Sequence, residues 1–148
     1  MSLIEMLECV KEQLPEGETV NFDTPDHNKT FTALKNKDDI TFITKEGKGT
    51  KVEVKWPEFH QVLILLLNHP EGVLAGDAQN KGKNLIGGDT CSIDTIEGQI
   101  SHYVHGVPNG KKAKTRRATY IMPVLIKAEL VTYDKPIFRL KNNVLTPN

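Results

Sequence analysis

A chain of 148 residues, 38% of them hydrophobic, is long enough to bury one core without disulfide or metal crosslinks. Its two cysteines, Cys9 and Cys91, are too few for a disulfide framework and suit a reducing compartment. The longest apolar run, residues 62–67, is far too short to cross a bilayer, and no N-terminal run resembles a signal peptide. We therefore predict a cytoplasmic protein without a membrane partner, made of one domain or of one domain with an N-terminal attachment.

The formal net charge is zero, but the charge is unevenly distributed. Residues 1–60 carry a net charge of −4, and residues 61–148 carry a net charge of +4. Between Glu97 and Glu129 the sequence has no acidic residue and six basic ones. This is a biased composition for a mixed surface, although an ordinary solvated face is the alternative explanation.

The first third of the chain predicts a helix followed by a β-hairpin. Ser2 and Glu5 have the spacing of a capping box, and apolar residues at helical spacing follow until a proline. Residues 15–30 are polar and rich in turn formers, which predicts an irregular connection. The alternation of apolar and polar residues in "DDITFIT" and "TKVEVKW" then predicts two strands that form a hairpin around Gly47 and Gly49.

The middle of the chain predicts mainly helices. Pro57 suits the first turn of a helix, and residues 59–67 carry a broad apolar face. A short helix is expected near residues 74–80, and residues 80–92 are expected to form a glycine-rich loop. A further helix, capped by a serine or an aspartate, is predicted over residues 93–105, because its apolar residues recur every fourth position.

The last predicted elements are a helix over residues 115–129 and a hairpin over residues 130–140. Apolar residues at helical spacing predict the helix, and Thr115 is a plausible cap. Pro123 is expected to kink this helix, because proline lacks an N–H and crowds the carbonyl four residues earlier. Two short strands around the sequence "DKP" predict the hairpin.

A basic cluster falls at the start of this last helix. Lys111, Lys112 and Lys114 lie on the approach, and Arg116 and Arg117 lie in the predicted first turn. The first N–H groups of a helix lack internal partners and favour anions, so cations at this end oppose the helix dipole. Such an arrangement makes sense if a polyanion binds here. Phosphate fits best, because arginine forks match its oxygen atoms and counterion release drives binding; solvated bases beside a turn are the alternative.

Three helices, of which the last leads into a hairpin, are typical of a helix-turn-helix with a wing. Residues 115–140 resemble winged-helix DNA-binding domains, in which a basic recognition helix ends in a phrase such as "LIKAELV" and passes into a β-wing. The stretch is also loosely similar to the N-terminal winged-helix module of Mrr-type restriction proteins. The resemblance implies an α+β fold, with a helix and β-hairpin extension over residues 1–56 and a winged-helix domain over residues 57–148. Since such families have glycine where Glu129 stands, the turn after the helix is expected to form differently.

The resemblance also implies which residues contact DNA. Lysines before the helix would contact phosphates, arginines would read guanine, and the wing would reach an adjacent groove. Tyr120 fits a core position equally well, and Thr119 fits a plain surface position. Replacing Arg116 and Arg117 together by alanine is expected to weaken DNA binding without unfolding the domain. The implied DNA-binding residues are Lys111, Lys112, Lys114, Thr115, Arg116, Arg117, Thr119, Tyr120, Lys135 and Arg139.

The function that follows is binding of double-stranded DNA without catalysis and without a cofactor. The protein would act as a transcriptional regulator or as the specificity module of a DNA-processing or restriction system. A winged helix that binds protein is an alternative, in which the acidic residues 1–60 form an adaptor, and the apolar face of the first helix could pair two chains as a homodimer. No metal site is expected: His102 and His105 are three residues apart near Cys91, but a fourth ligand is not apparent.

A small Mg²⁺-dependent nuclease is the other alternative. Asp38 or Asp39 precedes one strand, and Glu53 and Lys55 lie on the next, which resembles the metal site of PD-(D/E)xK nucleases. In such a site carboxylates hold Mg²⁺, which polarises the phosphate and activates a water that the lysine helps to position. The same alternation is also typical of any half-exposed strand with Glu53 and Lys55 on its solvent face.

Overall fold

The computed structural model describes residues 1–25, 29–44, 51–77, 85–113 and 115–145. These residues form helices and antiparallel sheets, so the predicted α+β class is confirmed. The helices are α1 (Leu3–Glu12), α2 (Trp56–Asn68), α3 (Ile96–Tyr103), α4 (Ala118–Lys127) and α5 (Asn142–Leu145). The strands are β1 (Thr19–Asp23), β2 (Thr30–Lys35), β3 (Asp39–Thr44), β4 (Lys51–Lys55), β5 (Val73–Leu74), β6 (Val131–Asp134) and β7 (Ile137–Leu140).

Strands β1 to β4 form a four-stranded antiparallel sheet, the first sheet, in which each strand pairs with the next along the chain. The predicted hairpin corresponds to β3 and β4; its turn, with Gly47 and Gly49, lies outside the described residues. The irregular connection predicted over residues 15–30 is wrong in part, because β1 forms there. Only Phe22 of β1 is buried, so its polar neighbours hide the alternation that marks a strand.

Helices α1 and α2 begin as the sequence predicts. The Ser2 hydroxyl accepts a hydrogen bond from the N–H of Glu5, and the Glu5 carboxylate accepts one from the N–H of Ser2, both at 3.2 Å. Pro57 lies in the first turn of α2, where its missing N–H removes no helix hydrogen bond. The two helices pack on each other and contribute Met6 and Phe59 to the core that the first sheet also lines.

Strands β5, β6 and β7 form a second antiparallel sheet in the order β5-β7-β6. Its β6–β7 pair confirms the hairpin predicted over residues 130–140. The short helix predicted near residues 74–80 is wrong at its start, because Leu74 pairs with Ile137 as part of β5; residues 78–80 lie outside the described ranges. The β6–β7 pair follows α4 directly, whereas β5, the third strand of this sheet, lies between α2 and α3 in the chain.

Helix α3 is shorter than the predicted span of residues 93–105. Its cap is Thr95, whose hydroxyl accepts a hydrogen bond from the third backbone N–H of the helix at 3.1 Å. Ser92 and Asp94, the predicted caps, precede it. Gly76 has a φ of 79°, and a Cβ there would overlap the Thr95 side chain, so glycine allows the chain after β5 to lie directly on the start of α3.

The turn at the end of α4 does not form differently, although the absence of glycine at position 129 led us to expect that it would. Glu129 has a φ of 61°, the left-handed conformation that glycine usually supplies at this position. The N–H of Leu130 donates to the carbonyl of Leu125 (3.1 Å), and the N–H of Glu129 donates to that of Ile126 (2.9 Å). These two bonds define a Schellman motif, so the turn forms in the usual way with a strained residue in it.

One buried cluster contains residues from both sheets and from all the helices, α1 to α5. The predicted division at residue 57 stays a prediction, and the described core runs across it. A helix of the length and hydropathy needed to cross a bilayer is absent from the described ranges.

Candidate nucleic-acid interface

Helix α4 begins at Ala118, three residues later than the predicted Thr115. The cap is supplied by a remote side chain: the N–H of Arg117 donates to both carboxylate oxygen atoms of Glu97, at 2.7 and 3.1 Å, and the N–H of Ala118 donates to one of them at 3.2 Å. Thr115 does not act as the cap, and its hydroxyl has no partner within the described residues. The anion that the helix start favours is therefore part of the protein, and the prediction of a phosphate at these N–H groups is replaced.

Glu97 is almost completely buried, with 4% of its surface exposed. Burial is the main cause that raises the pKa of this carboxyl group, to about 7; the two backbone hydrogen bonds and the charges of Arg116 and Arg117 act in the opposite direction. The start of α4 is thus held by a group that changes charge near neutral pH.

The Arg117 side chain points into the protein and is only 13% exposed. Its Nε donates to Glu58 Oε1 at 2.9 Å, and a second guanidinium nitrogen donates to the carbonyl of Arg116 at 3.3 Å. His105 Nε2 lies 2.8 Å from the same Glu58 oxygen, while the other Glu58 oxygen accepts from the N–H of Lys55 at 2.7 Å. We call this group of Glu58, Glu97, His105 and Arg117 the buried junction; it ties α2, the chain after α3 and the start of α4 together.

Glu58 keeps its charge inside the protein. Desolvation by burial raises the pKa of this carboxyl group, but the hydrogen bonds from His105 and Lys55 and the charge of Arg117 outweigh it, and the pKa is lowered. A buried carboxylate and a buried guanidinium that pair in this way stabilise the fold only together. Arg117 is therefore a structural residue, and the predicted role in DNA contact does not fit its position.

The outer face of α4 is covered by the first sheet. The Tyr120 ring packs against Phe31 and Phe42, with ring centroids 5.5 and 5.4 Å apart, so Tyr120 is half-buried in the core rather than directed at a DNA groove. Lys127 is the exposed residue of α4, and its ammonium lies 5.0 Å from the centre of the Phe22 ring. A helix covered in this way cannot lie in the major groove as a recognition helix does.

The remaining predicted residues are mostly at the surface. Lys111, Lys112, Arg116 and Lys135 are exposed, and Arg139 is partly exposed with its Nε 4.0 Å from a carboxylate oxygen of Asp134. Lys114 lies outside the described residues. The Arg116 guanidinium makes no hydrogen bond or ion pair to any residue in the described part of the chain. Of the two neighbouring arginines in the basic cluster, Arg117 is therefore mostly buried and Arg116 is exposed.

Arg116 lies in a cleft of about 440 Å³ between the end of β1, the end of β5, the start of α4 and the β6–β7 hairpin. A smaller cavity of about 300 Å³ continues from it towards Tyr120 and is also lined by Arg116, Thr119 and Lys29. Thr119, which the sequence left open between DNA contact and a plain surface position, therefore lines both. We call the larger cavity the cleft; its lining includes Lys29, Leu74, Arg116, Thr119, Tyr133 and Phe138.

The charge of the cleft has one sign. Lys29 and Arg116 line it, and none of its described lining residues is acidic. The rest of the lining is mainly apolar or aromatic, and Leu74 is 46% exposed there. A cavity of a few hundred cubic ångströms with an apolar wall and a few polar groups is typical of a ligand site.

The residues of the nuclease alternative lie on the outer face of the first sheet. Glu53 and Lys55 are exposed, and Asp39 lies opposite Lys55 in the neighbouring strand, with its carboxylate accepting a hydrogen bond from Asn36 at 2.6 Å. Glu53 lies opposite Thr41. Within the described ranges no three His, Cys, Asp or Glu side chains form a group that could hold a metal ion.

The two histidines of α3 and its end have separate partners. His102 Nδ1 lies 3.0 Å from the carbonyl oxygen of Val107, whereas His105 belongs to the buried junction. Cys91 is fully buried in a small apolar cluster with Ile86 and Val107, and burial raises the pKa of its thiol. His102 and Cys91 therefore have their contacts within residues 85–113, whereas His105 links this part of the chain to α2.

Sequence reasoning missed Glu58 and Glu97, the two carboxylates of the buried junction. Glu58 had a local signal, because it follows Pro57 at the third position of α2, where glutamate often accepts from the cap N–H. Glu97 had no such signal, because the N–H groups that it caps are 20 and 21 residues further along the chain.

No family model matches the chain, and comparisons with curated proteins and with solved structures find no significant match.

Proposed function

We propose that this protein is a winged-helix domain with an added helix and sheet, and that it binds DNA without catalysing a reaction on it. The order of the elements supports the fold: α2, α3 and α4 are followed by the antiparallel β6–β7 pair, as the resemblance of residues 115–140 implies. The first helix and the four-stranded sheet are the extension.

The single observation that carries the proposed function is the state of Arg116. It is exposed, it has no carboxylate partner in the described part of the chain, and it lines a cleft together with Lys29 and no described acidic residue. A guanidinium held in this way suits a phosphate, whose oxygen atoms match its forked N–H groups.

The mode of binding differs from that of a recognition helix. Because the first sheet covers α4, the DNA contacts belong to the segment before α4 and to the hairpin after it. Lys111, Lys112 and Lys135 are exposed on these segments and would contact the DNA backbone, while Arg116 contacts a phosphate at the cleft.

The test is fluorescence anisotropy with a labelled duplex of random sequence at about 50 mM and about 200 mM salt, where phosphate contacts predict a steep loss of affinity. We expect Arg116→Ala to weaken binding. Lys51→Ala is the matched control, because Lys51 is exposed on the outer face of the first sheet, opposite Ile43. Absence of binding at both salt concentrations contradicts the proposal.

A protein-binding winged helix is the second candidate, and the covered face of α4 favours it, because a covered helix cannot read DNA bases. Absence of DNA binding together with a stable hetero-complex of defined stoichiometry would support this candidate instead.

A further inference from the structure

We propose that a phosphate bound at Arg116 and a proton bound at Glu97 stabilise each other, so that a fall in pH through neutrality tightens DNA binding. This inference rests on the proposed binding of DNA at Arg116 and adds a regulation of that same site. The proton comes from solvent and goes to a carboxylate oxygen of Glu97, and no other bond is made or broken.

The Glu97 carboxylate lies against the peptide group that joins Arg116 to Arg117. One of its oxygen atoms is 2.7 Å from the backbone nitrogen of Arg117, and that nitrogen is bonded to the carbonyl carbon of Arg116. The Arg116 side chain lines the cleft. A change of charge at Glu97 therefore occurs close to the cleft. It also occurs in a buried region, where charges act on each other more strongly than in water.

No side chain in the described part of the chain forms an ion pair with Glu97. Its oxygen atoms accept from the backbone N–H groups of Arg117 and Ala118. The Arg117 guanidinium donates instead to Glu58. Arg116 makes no ion pair of its own among the described residues, and its charge favours the ionised form of Glu97. The ionisation of Glu97 therefore depends in part on the charge of the residue that meets the ligand.

The coupling between the two sites follows from these charges. A bound phosphate offsets the positive charge of Arg116 and so removes part of what stabilises the ionised Glu97 carboxylate. Conversely, an ionised Glu97 weakens the attraction of Arg116 for an anion, whereas a protonated Glu97 does not. Linkage is reciprocal, so the factor by which the phosphate favours protonation equals the factor by which protonation tightens binding.

Two other titratable groups around Glu97 keep their charge state near neutral pH. Burial and the charge of Glu97 raise the pKa of the Cys91 thiol, which stays neutral. Desolvation acts against the charge of Glu58, but its hydrogen bonds and the charge of Arg117 lower the pKa of this group, which stays ionised. Burial raises the pKa of Glu97 itself to about 7. His105 contacts Glu58, so it is the titratable group that a test has to separate from Glu97.

The test measures the affinity for a labelled duplex by anisotropy at about pH 6 and about pH 8, a range in which DNA phosphates keep their charge. We expect the native protein to bind about 5-fold more tightly at the lower pH, the lower end of the coupling typical of linked sites. Glu97→Gln, which keeps an acceptor oxygen and does not titrate, should lose this difference. Glu18→Gln is the matched control and should keep it, because Glu18 is exposed before β1 and does not line the cleft.

A second measurement does not depend on the folding of a Glu97 variant. The carbon NMR signal of the Glu97 carboxyl group, followed as the pH is varied, gives the pKa of this group in the unaltered protein. We expect this pKa to be higher with the duplex bound than without it. Arg116→Gln should raise it without DNA, because the charge of Arg116 lowers it in the native protein.

The outcomes separate this inference from the proposed function. Equal affinity of the native protein at both pH values overturns the linkage and leaves DNA binding intact. A pH dependence that persists in Glu97→Gln, or a Glu97 pKa that the duplex does not raise, overturns the linkage as well. Absence of DNA binding at both pH values overturns both proposals.

Discussion

The buried junction and the cleft contain two consecutive residues, Arg117 and Arg116, which differ in exposure and in the groups that they contact. In the buried junction Arg117 is 13% exposed and donates to Glu58, and the start of α4 is capped by Glu97. In the cleft Arg116 is exposed and has no carboxylate partner in the described residues. The comparison shows that a run of basic residues can hold one cation for stability and present the next to a ligand.

The strongest test of this comparison is the substitution Arg117→Ala. It leaves the Glu58 carboxylate buried without its guanidinium, so we expect the free energy of unfolding to fall by about 3–5 kcal/mol. Arg116→Ala, the neighbouring control, should change it by less than about 0.5 kcal/mol, because the exposed Arg116 guanidinium makes no hydrogen bond or ion pair to a described side chain. Urea denaturation followed by circular dichroism measures both. A loss for Arg117→Ala as small as that expected for Arg116→Ala would contradict the stabilising role of the Arg117–Glu58 pair.

The structure changes the result expected for the variant in which Arg116 and Arg117 are both replaced by alanine. From the sequence, both arginines were expected to be replaceable without unfolding. The structure predicts that the loss of Arg117 dominates and that DNA-binding measurements on the double variant would report stability instead of contact.

The pH dependence of the free energy of unfolding tests the second carboxyl group of the buried junction, that of Glu97. The pKa of Glu97 is raised from 4.5 to about 7 by burial, so between these values the folded protein retains a proton that the unfolded chain has lost. The contribution of Glu97 to the free energy of unfolding is therefore largest below about pH 4.5. It falls by roughly 3 kcal/mol as the pH rises to about 7 and is constant above that pH. Denaturation of the native protein and of Glu97→Gln at a series of pH values measures it.

The difference in the free energy of unfolding between the native protein and Glu97→Gln reports on Glu97 alone, because all other titrating groups are common to both. Gln keeps an oxygen atom that can accept from the N–H groups of Arg117 and Ala118 but does not titrate. We expect the stability difference between native protein and variant to change between pH 4.5 and 7. A difference that is constant over this range would mean that the Glu97 carboxyl is ionised throughout.

A smaller effect is expected at the opposite end of α4. Glu129 adopts a left-handed conformation that costs roughly 1 kcal/mol for a residue with a Cβ. Glu129→Gly should therefore raise the free energy of unfolding by about 0.5–1 kcal/mol, since the greater freedom of glycine in the unfolded chain offsets part of the gain. The neighbour Ala128 has a φ of −71°, so Ala128→Gly should instead lower it. A loss of stability in both variants would contradict the account of this helix end.

Local patterns predicted much of the fold. Three features depend on residues within a few positions of each other, so the sequence contains their signals: the capping box of Ser2 and Glu5, the first turn of α2 with Pro57, and the β6–β7 hairpin. Strand β1 was missed because Phe22 is its only fully buried residue.

The candidate site was predictable only in part, because its arrangement depends on distant residues. The sequence identified Arg116 and Arg117 as a pair but contained no signal that Glu58, 59 residues earlier, would bury one of them. It left Tyr120 open between core and surface, since the rings of Phe31 and Phe42 that cover it belong to the distant first sheet. The cleft joins segments near residues 24, 75, 117 and 135, and no local pattern connects them.

The most direct test of DNA binding at Arg116 is the salt dependence of the affinity. Each phosphate contact on duplex DNA adds about 0.9 to the slope of log K against log salt concentration. We predict that Arg116→Ala lowers this slope by about 1 with folding unchanged, while Lys51→Ala leaves the slope as it is. A slope that is the same in native protein and in Arg116→Ala would contradict the claim that Arg116 contacts the DNA backbone.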